Sequence, residues 1–282
     1  MNNTIKRFFQ QIFLNDFIWQ MIAPFVWLSE RVKASRINYK EAPLFNKWSE
    51  KARQIFYDKI VRNGPFKGMY FGEVNPKGSS YFAKLLGSYE TEIHPFIMDA
   101  ITHAYTNIIN IGCDEGYYAV GLGLKIPGAA IQAFDAVPLA IKNCKALATL
   151  NKIEERMSYG GRYTEKEALQ HDPKKRALFV VDCEGDERNI FTEAAAQKLY
   201  NADIIVELHL HIDPYLVEHF EKLFSTTHEM ALVNSVDDHL KAQTYDWPEL
   251  KGLDYPVKRF ITEERSVFMQ WIYLKSKKAF MG

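Results

Sequence analysis

The chain has 282 residues, 47% of them hydrophobic and 25% charged, which suits one large domain with an appendage or two small ones and excludes both a miniprotein and a disordered polymer. Thirty-five basic residues balance thirty-five acidic ones, so there is no global field to gather nucleic acid or an acidic membrane. Three cysteines, Cys113, Cys144 and Cys183, are too sparse for a disulfide framework and lack paired zinc-ligand spacing, as expected of a reduced, cytoplasmic protein.

Lys6 and Arg7 precede an apolar run, but Asn15, Asp16 and Gln20 interrupt it and no small-residue cleavage site follows, unlike a signal peptide. The longest unbroken apolar stretch, residues 21–28, is far shorter than the roughly 20 residues that span a bilayer, and it contains Pro24. Residues 7–28 are instead expected to form an aromatic-rich amphipathic helix. Its apolar face would dock on the body of the protein or on a twin subunit in a homodimer. Flanking Lys6, Arg7, Arg31, Lys33 and Arg36 keep peripheral membrane contact open. Residues 45–62 place Trp48, Ala52, Ile55, Phe56 and Ile60 at helical spacing. Turn chemistry at 63–68 (NGPFKG) and 75–80 (NPKGSS) then sets a boundary near residue 80, giving a helical N-terminal extension (1–80) and a second domain (81–282).

Beyond the boundary, short apolar runs at 107–112, 129–135, 177–182 and 203–210 alternate with helical stretches at 116–125, 137–151 and 187–200. Such runs are typical of parallel strands covered on both faces, and the alternation predicts an open α/β sheet with right-handed crossovers. Residues 266–275 (SVFMQWIYLK) add one more strand at or near the edge.

Ligands of such sheets bind at the carboxyl ends of the strands. At the end of the first strand stand Gly112 and Gly116, spaced G-x-x-x-G, with Asp114 and Glu115 between them. This is not the G-x-G-x-x-G dinucleotide fingerprint, and two carboxylates would repel a pyrophosphate while suiting a cationic ligand such as the sulfonium and ammonium of S-adenosylmethionine. Asp135 ends the second strand near the ~20-residue offset at which an acid takes ribose hydroxyls; capping the next helix is its alternative role. Asp182 and Glu184, two apart at the end of the third run, share one face of an extended chain, as do Glu207, His209 and His211 one strand further on. Two carboxylates and an imidazole in one cleft can deprotonate a hydroxyl, hold an amine or bind a divalent metal. Crowding of like charges is expected to raise at least one carboxyl pKa. No tight metal-ligand spacing compels a metal site, so none is predicted, and a structural role is expected for His211.

On these residues, residues 81–275 resemble class I S-adenosylmethionine-dependent methyltransferases, and within them the FkbM type. The pieces that carry the resemblance are LLGSYETEI (85–93), INIGCDEGYYAVGL (109–122), AFD (133–135), VVDCEGDERNIF (180–191) and IIVELH (204–209). The D-x-E-G-x-E string formed by Asp182, Glu184, Gly185 and Glu187 is the most specific of them. The resemblance implies a Rossmann-like fold with a mostly parallel seven-stranded sheet and helices on both faces. It implies that Gly112, Asp114 and Gly116 line the cofactor, that Asp135 holds its ribose, and that Tyr89 and Glu90 close over the methionine end. Asp182 and Glu184 would face the transferred methyl, with His209 as a further proton acceptor. The acid that these enzymes commonly carry on the first strand is Asn110 here, leaving Asp114 or Glu90 to supply its charge. The first eighty residues fall outside the resemblance.

The leading expectation is therefore O-methylation of a hydroxyl on a sugar, glycan or secondary metabolite. A noncatalytic cofactor-binding or interaction protein on the same scaffold is the alternative, and an NAD-dependent oxidoreductase is disfavoured by the acidic loop.

Overall fold

The computed structural model describes residues 42–72, 80–265 and 268–278, together with positions 23, 26, 29 and 32. The expected helix at 7–28 lies outside the described residues apart from two of those positions. The chain divides into two compact units, Met1–Lys51 and Ala52–Gly282. Residues 42–55 are helical (α1). The periodicity predicted that helix to run to residue 62, but it stops at 55. Beyond it the Val61 N–H donates to the Met69 carbonyl, the Gly68 N–H donates to the Val61 carbonyl, and Ile60 bridges Tyr70 in antiparallel fashion. The apolar residues that extended the helical pattern are thus used by a short hairpin-like turn, which buries Phe66 and Phe71 against the Tyr117 ring.

In the second unit, α2 (Tyr81–Leu86) and α3 (His94–Ile101) precede a sheet built from β1 (Asn107–Ile111), β2 (Ala130–Phe134), β3 (Met157–Gly160), β4 (Ala177–Val181), β5 (Ala202–Leu208), β6 (His228–Asn234) and β7 (Gln270–Ser276). The order across the sheet is β3-β2-β1-β4-β5-β7-β6. The first five strands run parallel, and β7 pairs antiparallel with both β5 and β6. A mostly parallel seven-stranded α/β sheet is therefore present, as the strand–helix alternation predicts. The expected C-terminal strand is one position in from the edge, and β6 lies outside it. Neither β6 nor β3 stood out in the sequence: β3 is four residues of mixed polarity, and β6 exposes four of its seven side chains as an edge strand can.

The connections are α4 (Tyr117–Lys125), α5 (Pro138–Leu150), α6 (Glu165–Leu169), α7 (Glu187–Ile190), α8 (Glu193–Leu199), α9 (Leu216–Phe224), α10 (Asp238–Thr244) and α11 (Tyr255–Thr262). The single helix expected over 187–200 is two. Thr192 interrupts it, and its hydroxyl accepts the Ala195 N–H at 3.2 Å, a side-chain cap that starts a new helix. Strands β4 and β5 are buried along their whole length. Phe179 and Val181 of β4, with Ile204, Val206 and Leu208 of β5, form one core with Phe191, Leu199, Phe220 and Phe224 of the helical layer. The strand order reverses between β1 and β4, the switch point where doubly wound sheets open a crevice. Among the described residues no helix is long and apolar enough to cross a membrane.

Candidate functional site

A cavity of about 460 Å³ opens at this switch point. Its floor is the end of β1 (Ile111, Gly112), and its walls come from the ends of β2 (Phe134, Asp135) and β4 (Asp182, Cys183, Glu184). Leu139, Ala140 and Asn143 of α5 and Arg162 and Tyr163 after β3 complete it. The volume is in the range of small-molecule sites. One half is apolar and slot-like, between Phe134, Val137, Leu139 and Tyr163; the other collects carboxylates.

Gly112 is what lets the floor form. Its φ is +71°, and a Cβ there would lie 1.6 Å from the Asp182 carbonyl oxygen, so the chains leaving β1 and β4 touch backbone to backbone. The Asp182 N–H in turn donates to the Ile111 carbonyl at 2.9 Å. Gly116 answers a different need: at φ +95° it starts α4, and a Cβ would meet the Cys144 sulfur of α5 at 2.7 Å. It is a close helix–helix approach and is not on the cavity wall.

Asp135 receives the Asp114 N–H at 3.0 Å on one oxygen and the Val137 N–H at 2.8 Å on the other. Asp135 thus closes a tight turn just ahead of α5, whose N-cap Val137 has no side-chain cap, and it lines the cavity.

The loop's two carboxylates do not act together as the sequence reading assumed. Glu115 turns away from the cavity and forms a buried ion pair with Lys84 of α2. Burial would raise its pKa, but the Lys84 ammonium outweighs that and holds it down at about 2. Only Asp114 reaches the cavity, and its pKa is raised by a hydrogen bond shared with Glu115 and by burial. The loop is less negative toward a ligand than its composition suggests, since one charge is cancelled by a lysine thirty-one residues upstream.

Asn110 is buried in β1; its amide donates to the Val180 carbonyl at 3.1 Å, while its Oδ1 has no hydrogen-bond partner. Tyr89 and Glu90 stand outside the cavity wall. The Tyr89 ring stacks edge-on with Tyr117 and carries the Lys84 ammonium 4.6 Å from its centroid. Glu90, fully buried at φ +51°, accepts from the Tyr118 hydroxyl and pairs with Arg265.

At the acidic end, His209 follows β5 and is 3% exposed. Its Nδ1 is held by the buried Glu187 carboxylate, and its Nε2 faces Asp182 Oδ1 at 3.5 Å and Glu184 Oε2 at 3.4 Å. His209 thus adjoins the two cavity acids. Burial lowers its pKa, but Glu187 outweighs this and the net shift is upward. Asp182 and Glu207 both have raised pKa values, chiefly from burial; Glu90 adds to both, Glu184 adds to Asp182, and Asp182 raises Glu207, whereas a hydrogen bond with Glu207 acts to lower Asp182. This is the upward shift expected from crowded carboxylates. Arg265 bridges Glu207 and Glu90. His211 is exposed, with its ring 5.8 Å from that of His209.

Sequence reasoning singled out neither Glu187 as the partner of His209 nor Arg265. Glu187 carried a signal, as the last acid of the D-x-E-G-x-E string. Arg265 carried none, because its loop reaches the site only through the antiparallel return of β7.

Adenosine and methionine chemistry can be tested against this geometry. Asp135 at the end of β2, the glycine floor and the apolar slot beside it fit the adenosine half of S-adenosylmethionine, while Asn110, whose buried Oδ1 has no hydrogen-bond partner, is not among the residues of the cavity wall. No family model matches the chain, and no curated protein does. Solved structures similar to it include the MccD protein, 16% identical over 66% of this chain and 96% of that one, with a TM-score of 0.39. Another is the O-methyltransferase TomG from Streptomyces achromogenes, solved in complex with S-adenosylmethionine: 12% identical over 63% and 77%, TM-score 0.42. A third is the precorrin-6y C5,15-methyltransferase from Geobacter metallireducens, 13% identical over 65% and 89%, TM-score 0.43. At such identities and TM-scores, a functional reading rests on the geometry of the site.

Proposed function

We propose that this chain is an S-adenosylmethionine-dependent methyltransferase acting on a hydroxyl of a sugar, glycan or secondary metabolite. The observation that carries this reading is a single cavity that joins an adenosine-type half, with Asp135 beside an apolar slot, to an acidic half where Asp182 and Glu184 adjoin His209. The bound cofactor supplies a methyl group made electrophilic by the sulfonium. The protein's own groups do the rest. Gly112 admits the ligand to the strand ends, and Asp135 holds hydroxyls through its free lone pairs. The acceptor hydroxyl is oriented at Asp182, and its proton passes to a carboxylate or imidazole of the cluster. Holding acceptor and methyl near contact distance supplies much of the rate.

Calorimetric titration with S-adenosylmethionine, S-adenosylhomocysteine and NAD tests the reading. Binding of the first two without NAD is expected; a folded sample that binds neither sinks it and favours a noncatalytic interaction protein.

A further inference from the structure

We propose that Asp182, Glu207 and His209 form a binding site for one divalent first-row metal cation. One ligand atom from each of the three lies within 4.8 Å of the others. The sheet itself produces this convergence. Strands β4 and β5 are parallel with Val181 opposite Val206, so the next step along the ladder sets Asp182 beside Glu207, and His209 follows two residues on, on the same face. Like charges side by side on adjacent strands are destabilising unless something lies between them.

Two atoms of the cluster face that shared space without a hydrogen bond. Asp182 Oδ1 is buried and has no partner. His209 is almost wholly buried, and its Nε2 makes no hydrogen bond, only approaches of 3.5 Å and 3.4 Å to carboxylate oxygens. In an octahedral site with bonds of about 2.1 Å, neighbouring ligand atoms stand about 3 Å apart and opposite ones about 4.2 Å. The 3.5 Å between His209 Nε2 and Asp182 Oδ1 lies about half an ångström from a neighbouring pair, and the 4.8 Å that bounds the whole triad asks for a larger closure. A second feature points the same way. The buried Glu187 carboxylate holds Nδ1 of His209, which fixes the tautomer that leaves Nε2 free to ligate, the arrangement that orients most metal-binding histidines. Charge balance agrees, because among the described residues the acids Glu90, Asp182, Glu184, Glu187 and Glu207 outnumber the cations near them, Arg265 on Glu90 and Glu207 and Lys84 near Glu90. Mixed carboxylate and imidazole ligands suit Mn²⁺, Fe²⁺ or Zn²⁺ better than Mg²⁺ or Ca²⁺, which prefer oxygen alone. Resting on the methyl-transfer reading, the cation's open positions would take the acceptor's oxygen, with the exposed Glu184 left free to receive its proton.

Mn²⁺ is titrated into the metal-stripped full-length protein, and free Mn²⁺ is followed by its paramagnetic resonance. One ion per chain is expected, with affinity at least tenfold weaker in Asp182→Asn and His209→Gln, and 10- to 100-fold weaker in Glu187→Gln. Asp213→Asn, an acid paired with Arg188 outside the cluster, should bind as the wild type does. A folded wild-type protein that takes up no Mn²⁺ overturns the proposal, the paired carboxylates then holding only a proton; so does an Asp182→Asn variant that binds unchanged. Parallel titration with S-adenosylmethionine separates the two readings: cofactor binding without Mn²⁺ uptake ends this inference alone, and Mn²⁺ uptake without cofactor binding ends only the methyl-transfer reading.

Discussion

At Gly112 the absence of one methyl group decides whether the cleft exists. Alanine there would combine a left-handed backbone, costing about 1–2 kcal/mol, with a Cβ 1.6 Å from the Asp182 carbonyl oxygen. Gly112→Ala is expected to lose about 3–5 kcal/mol, read from the urea midpoint, and to abolish cofactor binding. Gly128→Ala, with nothing within 4 Å of its Cβ, should change stability by less than about 1 kcal/mol. A similar split is expected between two acids of the wall. Asp135→Ala should weaken S-adenosylmethionine binding by tenfold or more, whereas Asp182→Ala should keep binding and lose turnover. Equal losses of binding in both would remove that division of roles.

Between elements, the decisive contact is the Lys84–Glu115 pair, which ties α2 to the start of α4 in a buried setting. Glu115→Gln would leave a buried ammonium unpaired and is expected to cost about 3–5 kcal/mol in chemical denaturation. Replacing both residues with apolar ones of similar volume should recover most of that. The pH dependence has a definite sign. The folded pKa of Glu115, about 2, lies below its ordinary 4.5, so its stabilisation is complete above pH 4.5 and is lost as the pH falls toward 2. Acid unfolding monitored by circular dichroism should therefore move to higher pH in Glu115→Gln; an unchanged acid midpoint would mean that the pair does not govern it.

For the molecule as a whole, the sheet predicts where stability concentrates. Amides of β4 and β5, buried along their whole length, should exchange slowest, and those of β6 at the exposed edge much faster, in native-state hydrogen exchange. A ligand that binds only the folded cleft stabilises it by about 2.7 kcal/mol at a hundred times its Kd. A thermal shift with S-adenosylmethionine and none with NAD is therefore the whole-molecule counterpart of the calorimetric test.

Much of the fold was legible in the sequence because its signals are local. Buried parallel strands must be continuous apolar runs, so β1, β2, β4 and β5 stood out, and the helices between β1 and β2 and after β2 fell within a residue or two of their predicted bounds. Strands β3 and β6, short or at the edge, carry no such run. The acids at the ends of β4 and β5 were legible through the period of two that places alternate side chains on one face. What the sequence could not settle was which charges would meet. Glu115 looked like part of the cleft until Lys84, thirty-one residues away, took it, and Arg265 reached Glu90 and Glu207 across 175 and 58 residues. The sequence by itself determined the layers of this protein and the strand ends at which its chemistry gathers, because periodicity and burial act over a few neighbouring residues. Only the tertiary structure decided which carboxylates are neutralised and which are left facing one another, because ion pairing depends on distances that chain folding alone creates.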